Sequence, residues 1–336
     1  MGKFGLVLDI DGCLYKDFRP IDGVIETLEM IVSKSIPFVL VTNGGFLTEE
    51  EKSKQLETLF MKIPLKPEQI VLSHSPFSIF SDEFKMQRCL VVGPFKSKGI
   101  EILSDYGFKN IYWIDDFIED HQQLFPYKFR DHRNLTSESS SLSSISESIL
   151  KEGCNCNTDR KIVNIIILRL PLDWLNTIQA VLDVLLSDGN VGHPSPQQQV
   201  VSIYFCNPDI IYGGAYKDPR LTEGAYREAV CTLYKILTYG KDLKYHCLGK
   251  PSQVTYDYVK HIFNEFYGIK HEDAYNFYAI GDNPASDIEG ANAQGTQWTS
   301  ILVKTGVFRD GQKHEAKFVF DNFNIAMEHI WKTEEL

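Results

Sequence analysis

The sequence predicts an α/β fold in which a core with a parallel sheet is interrupted by a second α/β domain. Both ends of the chain alternate short apolar strands with amphipathic helices, and roughly 150 residues, about the size of a domain, separate these ends. The 336 residues exceed one ordinary core but suit two packed units, and 43% of them are hydrophobic. Alternation of strands and helices favours parallel strands joined by helical crossovers.

Residues 1–80 are predicted to form the first part of the core. Strand patterns occur at 4–8, 37–41 and 69–72. An amphipathic helix is expected at 24–32, and a second helix is expected to end near residue 60. Thr48 and Glu51 have the spacing of a capping box, which predicts where the second helix begins.

Residues 236–336 are predicted to form the second part of the core. Strand patterns recur at 245–248, 275–280 and 299–303. Helices are expected at about 252–266 and 285–293, the first with Pro251 in its opening turn. Because the rhythm matches that of the amino-terminal part, we expect both parts to contribute strands to one sheet.

Residues 81–235 are predicted to form an inserted α/β cap domain. Its strand and helix patterns lie at 89–92, 162–168, 172–186 and 200–205. A serine-rich stretch near 135–150 has few large apolar side chains, so burial cannot offset its ordering entropy. We expect a flexible surface loop there.

The composition of the chain limits the classes of binding partner and the cellular locations that we expect. A net charge of −11 argues against nucleic acid, because phosphate backbones bind basic surfaces. Seven cysteines without a repeated metal-type spacing indicate reduced thiols, and Cys154 and Cys156 are expected to be an ordinary exposed pair. No apolar run reaches membrane-spanning length, so no membrane partner is expected. The first strand pattern begins almost at residue 1, which favours a cytoplasmic location over a mitochondrial one.

Four polar clusters each follow a predicted strand. They are D-I-D-G at 9–12, T-N-G-G at 42–45, G-K-P-S at 249–252 and G-D-N-P-A-S-D at 281–287. Because the carboxyl ends of parallel strands meet at one edge, where such proteins bind ligands, we expect these clusters to form one site.

Asp9 and Asp11 are the predicted nucleophile and acid/base. Carboxylates at alternate positions of an extended segment lean the same way, so both can address one phosphorus atom. An aspartate can attack phosphorus to form an acyl-phosphate, while a second carboxyl protonates the leaving oxygen and later activates water. Taken alone, the motif fits a simple turn after a strand equally well.

Thr42, Asn43 and Gly44 are the predicted phosphate-binding residues, because a hydroxyl, an amide and backbone N–H groups hold phosphate oxygens without adding charge. Taken alone, they are better explained as a helix cap. Lys250 is expected to bind phosphate and to balance the attacking carboxylate and the transferring phosphoryl group. Its alternative is an ordinary solvated lysine.

Asp282 and Asp287 are the predicted magnesium residues. Mg²⁺ prefers hard oxygen ligands and is commonly held by one or two carboxylates with water and phosphate. Asp282 is expected to bind directly, and Asp287 either to bind through water or to hold Lys250. The alternative is helix capping by acids. Four carboxylates at one edge would repel each other and a phosphate, so the combined clusters imply a divalent cation.

In this order the four clusters resemble the motifs of the haloacid dehalogenase superfamily. The large insert after the second motif resembles subclass IIA, the p-nitrophenylphosphatase-like enzymes with an α/β (C2-type) cap. Segments 4–14, 42–45, 73–76 and 220–226 are similar to the cat eye syndrome critical region protein subfamily. The resemblance implies a Rossmann-like core, Asp9 as nucleophile and metal ligand, and Asp11 as acid/base with its backbone carbonyl on the metal.

The resulting hypothesis is a magnesium-dependent phosphohydrolase that acts on a small phosphorylated metabolite under a domain-sized cap. The alternatives are a phosphotransferase and a binding or regulatory protein with weak turnover. Asn207, Asp209 and Tyr212 are expected to face the substrate from the cap. The pattern allows a monomer or a homodimer formed through the cap.

Overall fold

The protein is described here by a computed structural model. The description covers residues 4–129, 161–193, 197–213, 216, 218–270 and 275–336. The predicted serine-rich loop and the pair Cys154 and Cys156 lie outside the described residues.

Strands and helices alternate along most of the described chain. The strands are β1 Phe4–Asp9, β2 Tyr15–Lys16, β3 Arg19–Pro20, β4 Phe38–Val41, β5 Ile70–Val71, β6 Cys89–Val92, β7 Ile111–Trp113, β8 Asn164–Ile167, β9 Ser202–Phe205, β10 Ile211–Tyr212, β11 Arg220–Leu221, β12 His246–Cys247, β13 Asn276–Gly281, β14 Trp298–Val303 and β15 Phe318–Phe320. The α-helices are α1 Val24–Ser33, α2 Glu49–Leu59, α3 Asp82–Met86, α4 Lys96–Asp105, α5 Ile114–Asp120, α6 Pro126–Phe129, α7 Trp174–Leu185, α8 Glu223–Leu237, α9 Gln253–Tyr267, α10 Glu289–Asn292 and α11 Phe323–Thr333.

The chain divides into two compact units. The first contains residues 1–80, 205–227 and 247–336, and the second contains 81–204 and 228–246. The second unit begins at residue 81, as the sequence predicts for the inserted domain, but the return to the core differs from the predicted 235/236 boundary. Residues 205–227 belong to the first unit, where Asn43 donates to Asp209 and the Leu248 N–H donates to the Phe205 carbonyl.

The first unit is built on a six-stranded sheet in the order β15-β14-β13-β1-β4-β5. Every pairing in this sheet is parallel. The predicted α/β class with a parallel core sheet is therefore confirmed. Strands from both ends of the chain meet at β1, which lies between β13 and β4.

Alternate residues of β1 pack on opposite faces of this sheet. Leu6 and Leu8 belong to a hydrophobic cluster that includes residues of α1 and α11, whereas Val7 belongs to a cluster with residues of α9. All six residues of β1 are buried, as expected for a strand covered by helices on both faces. The sheet edge that carries Asp9 is thereby held by packing on two sides.

A second sheet has five strands in the order β12-β9-β8-β6-β7, and most of its residues belong to the second unit. Strands β7 and β8 flank β6 in parallel. The prediction that the strand before Gly249 belongs to the core sheet is wrong. Strand β12 has only two residues, and it pairs in the second sheet instead.

Pro251 also differs from its predicted place. The Lys250–Pro251 peptide bond is cis, and α9 begins at Gln253 with Ser252 as its N-cap residue, so Pro251 precedes the helix. Within the described ranges, no helix is both long enough and apolar enough to cross a membrane.

Candidate active site

Three adjacent strands of the core sheet end at one edge. Strand β1 ends at Asp9, Thr42 follows β4, and Asp282 follows β13. Because these strands are parallel and β1 lies between the other two, the three residues meet at one edge of the sheet. The sheet thus brings together residues far apart in the chain.

Asp9, Asp282 and Asp287 form a buried carboxylate cluster. One oxygen from each lies within 4.8 Å of the others. The Oδ2 atom of Asp9 is buried and accepts no hydrogen bond from the part of the chain that the structure describes, which is costly for a carboxylate oxygen. This oxygen is suited to a cation, since a cation would satisfy it where no N–H group does.

Lys250 is the cation next to this cluster. Its buried Nζ contacts Asp9 Oδ1, lies 2.6 Å from Asp287 Oδ1 and donates to the Val41 carbonyl at 2.9 Å. These acceptors match the three N–H groups of an ammonium. Lys250 is therefore not a solvated surface lysine, and its geometry fits the predicted balancing of the Asp9 carboxylate.

The cluster keeps excess negative charge, since three carboxylates face one ammonium. Burial raises the pKa of Asp9 well above its usual value, and Lys250 offsets this only in part while Asp287 and Asp282 add to it. Burial and Asp287 raise the pKa of Asp282 to about 7. Burial alone lowers the pKa of Lys250, but Asp287 and Asp9 outweigh it and hold that pKa well above its usual value.

Backbone groups hold the carboxylates in place. The Val307 N–H donates to Asp282 Oδ2, and the Asn283 N–H donates to Asp287 Oδ2 at 3.0 Å. A single π-helical turn, Pro284–Ile288, carries Asp287. One oxygen of Asp287 contacts the Asn283 N–H and the other contacts Lys250, so Asp287 fits the predicted role of holding Lys250. Asp9 and Asp282 are then better placed than Asp287 to bind a metal ion directly.

Two glycines allow the chain to approach Asp282 closely. A Cβ at Gly12 would lie 2.8 Å from Asp282 Oδ2, and one at Gly306 would overlap the same carboxylate. Gly12 also has φ +88°, which favours glycine. Glycine at position 12 is thus explained both by backbone conformation and by the space that Asp282 occupies.

Asp11 lies apart from the buried cluster. Its carboxylate is exposed and accepts from Thr42 Oγ1 at 3.0 Å and from the Tyr15 hydroxyl. Buried Lys52 donates to that hydroxyl at 3.2 Å. The exposed Asp11 carboxylate is accessible to solvent, and its acid/base role and its backbone contact to a metal stay predictions.

Asn43 is engaged by the protein itself. Its Nδ2 donates to Asp209 Oδ2 at 3.0 Å and to the Lys250 carbonyl at 2.8 Å, and its Oδ1 accepts from the Lys250 N–H at 2.6 Å. Its side-chain N–H groups are thus used, so a phosphate contact from Asn43 would have to come from its backbone. Gly44 N donates to Thr42 Oγ1 at 2.8 Å, and the phosphate role of Thr42 and Gly44 stays a prediction.

Sequence reasoning did not find the roles of Tyr15, Lys52 and Val307. No motif marks them: Tyr15 lies just after the first motif and pairs with Asp11, Lys52 lies on α2, and Val307 follows β14. The predicted substrate residues Asn207 and Asp209 form hydrogen bonds with Glu223 and Asn43 within the first unit, and Tyr212 is exposed on β10. Their predicted place in the cap differs from this arrangement.

Known proteins resemble the chain throughout. A family model for haloacid dehalogenase-like hydrolases matches residues 6–109, and a second HAD-hydrolase-like model matches 247–326. A mitochondrial hydrolase of Saccharomyces cerevisiae is 28% identical, with 92% of this chain and 89% of that protein covered. The cardiolipin synthase (CMP-forming)/mitochondrial hydrolase fusion protein of Schizosaccharomyces pombe is 33% identical over 93% of this chain, which spans 50% of that protein.

A solved structure with the same fold is the p-nitrophenyl phosphatase from Archaeoglobus fulgidus. Its TM-score is 0.62 at 16% identity, with 98% of this chain and 100% of that chain covered. The fold, the carboxylate cluster and the two family matches define the class: the chain belongs to the haloacid dehalogenase-like hydrolases. The neighbour is consistent with subclass IIA, whereas the narrower resemblance to the cat eye subfamily is not confirmed.

The names of the relatives also bear on location. Two of them are named mitochondrial hydrolases, which leans against the cytoplasmic location expected from the sequence.

Proposed function

We propose that the chain is a magnesium-dependent phosphohydrolase that cleaves a small phosphomonoester through a phosphorylated Asp9. One observation carries this proposal: Asp9 Oδ2 is buried without a hydrogen bond beside Asp282, while Asp9 Oδ1 is held by Lys250. With Oδ1 on the Lys250 ammonium and Oδ2 available to a cation, Asp9 would be held in one orientation, which nucleophilic attack requires.

The residues of the chain would divide the reaction as follows. Asp9 attacks phosphorus, and the bond to the leaving oxygen breaks as Asp11 gives that oxygen a proton. Asp11 then takes a proton from the water that attacks the phosphorylated Asp9, and Asp9 is regenerated with release of phosphate. Lys250 holds Asp9 throughout, and its positive charge favours the anionic transition state.

The donor set fits Mg²⁺, because Asp9 and Asp282 offer hard oxygen atoms on an unbalanced negative cluster. When bound, the ion would neutralise the carboxylates and the substrate phosphate so that an anion can approach an anion. The relative named a hydrolase and the neighbouring phosphatase support the phosphohydrolase part of the proposal.

We propose a small soluble metabolite as the substrate, with neither nucleic acid nor membrane as the primary partner. The net charge of −11 supports this choice, since it opposes binding to any extended anionic surface. The oligomeric state stays open between a monomer and a homodimer through the inserted domain, and the cytoplasmic location expected from the sequence competes with the mitochondrial one in the names of the relatives. Sedimentation and cell fractionation test them.

The direct test is phosphate release from a panel of small phosphomonoesters, including an aryl phosphate. Wild type is compared with Asp9→Asn, in magnesium and in EDTA. We expect release only from wild type with magnesium. Release at an equal rate in Asp9→Asn would refute the proposed function, and loss of substrate with phosphate recovered on a second acceptor would point to phosphotransfer instead.

A further inference from the structure

Asn43 connects the Lys250 backbone to Asp209. Its amide accepts the Lys250 N–H and donates to the Lys250 carbonyl, so it holds both polar groups of that residue's main chain. The remaining N–H of Asn43 donates to Asp209 Oδ2 at 3.0 Å. All three residues belong to the first unit, although 166 positions separate Asn43 from Asp209.

Close approach of the chain at Gly249 makes this arrangement possible. Gly249 has φ +85°, and a Cβ there would lie 2.8 Å from Asn43 Oδ1 and 2.9 Å from Pro208 Cδ. The three segments are therefore in van der Waals contact just before Lys250. A small displacement of Asn43 would move the main chain that carries the Lys250 side chain.

Asp209 is itself held from the other side. Its N–H donates to Asn207 Oδ1 at 2.8 Å, and its carbonyl accepts from the Gly224 N–H at 2.8 Å. Asn207 Nδ2 in turn donates to Glu223 Oε2 at 3.0 Å. Asp209 is thus a fixed acceptor rather than a mobile surface acid.

The charge of Asp209 is costly at this place. Burial raises its pKa to about 6, although the Asn43 hydrogen bond and Lys250 act to lower it, and Asp287 and Glu223 add to the rise. The Cys247 thiol also faces it, and Arg227 donates to the neighbouring Pro208 carbonyl. A partly buried acid that contacts a neutral amide contributes little to stability. A role of Asp209 in the site explains its presence better than a role in stability does.

We propose that Asp209 is a positioning residue for Lys250: by holding the Asn43 amide, it fixes the Lys250 backbone so that Nζ lies between Asp9 and Asp287. This inference rests on the proposed function only for its catalytic consequence. The physical link from Asp209 to the Lys250 N–H can be tested without turnover.

The first measurement is amide hydrogen exchange at Lys250. Wild type is compared with Asp209→Ala, which removes the acceptor, and with Asp209→Asn, whose amide oxygen can still accept from Asn43. Asp321→Asn, at an exposed acid of the same unit, is the control. We expect exchange of the Lys250 N–H to be roughly tenfold faster in Asp209→Ala, the effect of losing about one hydrogen bond, and to be largely restored in Asp209→Asn.

The second measurement is kcat and KM for an aryl phosphate. We expect Asp209→Ala to lower kcat roughly tenfold with KM changed less than about twofold, because substrate contacts remain while Lys250 loses its position. If Asp209→Ala does not fold, Asn43→Asp replaces it, since a carboxylate cannot donate to Asp209. Adding Asp209→Asn to that variant should then restore part of the lost rate.

Exchange at Lys250 that is equal in wild type and Asp209→Ala, or in wild type and Asn43→Asp, would overturn the positioning role whatever the activity. Failure of wild type to release phosphate from any compound would instead refute the proposed function and leave the exchange result to decide the link. A KM that rises while kcat stays constant would also overturn the inference, because it would assign Asp209 to substrate binding.

Discussion

Asp9 has a different environment at each of its two oxygens. Oδ1 contacts the Lys250 ammonium, and Oδ2 is buried without a partner. An unpaired buried carboxylate oxygen costs on the order of 1–3 kcal/mol, which folding alone does not require. The imbalance is explained if the site binds a cation, which would pair with this oxygen and let a phosphate approach the carboxylates.

Asp282→Asn should raise the thermal stability of the protein in EDTA and remove most of the stabilisation by magnesium. In EDTA we expect the variant to unfold at a higher temperature than wild type, because one repelling charge of the buried cluster is removed while the Val307 N–H keeps an acceptor. In magnesium we expect wild type to gain stability and the variant to gain little. Thermal unfolding in both conditions checks this, and an equal magnesium-induced shift in the two proteins would contradict it.

Lys250→Met should destabilise the protein as well as inactivate it. The variant leaves Asp9 and Asp287 buried without their cation, a loss of about 3–5 kcal/mol in the free energy of unfolding. Urea unfolding in EDTA measures it. Lys304→Met, at a more exposed lysine near Asp310 and Asp321, is the matched control and should lose less than about 1 kcal/mol.

Asp209 should make stability depend on pH in a defined window. Its folded pKa of about 6 lies above the usual value of 3.8, so the folded protein binds this proton more tightly and the resulting stability is lost as the pH rises from about 4 through 6. After allowance for its partial exposure, the loss is on the order of 2 kcal/mol. The difference in unfolding free energy between wild type and Asp209→Asn, measured from pH 4 to 7, should change accordingly, and a difference that is constant with pH would contradict it.

Among the secondary-structure elements, helix α2 begins at a capping box that the sequence predicts, and it carries a residue that contacts the site. Thr48 accepts from the Glu51 N–H at 3.2 Å, and Glu51 accepts from the Thr48 N–H at 2.9 Å, so the predicted capping box is present. The same helix carries Lys52, which contacts Tyr15. The sequence signal thus determines where this helix begins.

Thr48→Ala should cost about 1 kcal/mol in the free energy of unfolding, because the helix loses one reciprocal cap. We expect kcat to change little, since the contacts of Lys52 lie one turn further along. Urea unfolding and aryl phosphate turnover check both parts. Thr58→Ala, near the end of the same helix, is the control with an exposed hydroxyl. A loss of kcat without loss of stability in Thr48→Ala would contradict this account of the cap.

Strands that lie in a continuous apolar run could be predicted from the sequence, including the two-residue β5, whereas short strands outside such runs could not. The apolar runs that became β1, β4, β6, β13 and β14 were recognised, because buried parallel strands have continuous hydrophobic sequences. The two-residue strands of the pairs β2-β3 and β10-β11 carry no such pattern. Strand β12 was recognised but assigned to the wrong sheet, since two residues do not specify a partner.

In the candidate site too, some residues could be predicted from the sequence and some contacts could not. Strand ends indicated Asp9, Thr42 and Asp282, because topology alone brings them together. The link between Asn43 and Asp209 joins residues that no local pattern relates, and only the folded chain reveals it. Residue type indicated an amide near phosphate, whereas the structure uses that amide to hold Lys250.

At the scale of the whole molecule, the net charge of −11 acts on every anionic ligand. A phosphomonoester approaches a molecule of like charge, and salt screens this repulsion over about 10 Å at 0.1 M. We therefore expect kcat/KM to rise, by roughly two- to threefold, when ionic strength increases from about 0.01 to 0.15 M at saturating magnesium. A fall in kcat/KM would instead indicate attractive steering by a local positive surface.

In the sequence, the two parts of the core are separated by a long insertion. Residues 1–80 and 247–336 supply the six parallel strands, and the second unit lies between them in the sequence. The site residues on β1 and β13 therefore meet only when the two ends of the chain pair. This pairing explains why motifs that are far apart in the sequence form one compact site.

In the proposed reaction, Asp9 carries the phosphoryl group during turnover. The most direct measurement is acid quenching of the enzyme with substrate and magnesium, followed by borohydride reduction, which converts a phosphorylated aspartate to homoserine, and by peptide mass spectrometry. We predict homoserine at position 9 in wild type, and its absence in EDTA and in Asp9→Asn. Phosphate release by wild type without homoserine at position 9 would contradict the account.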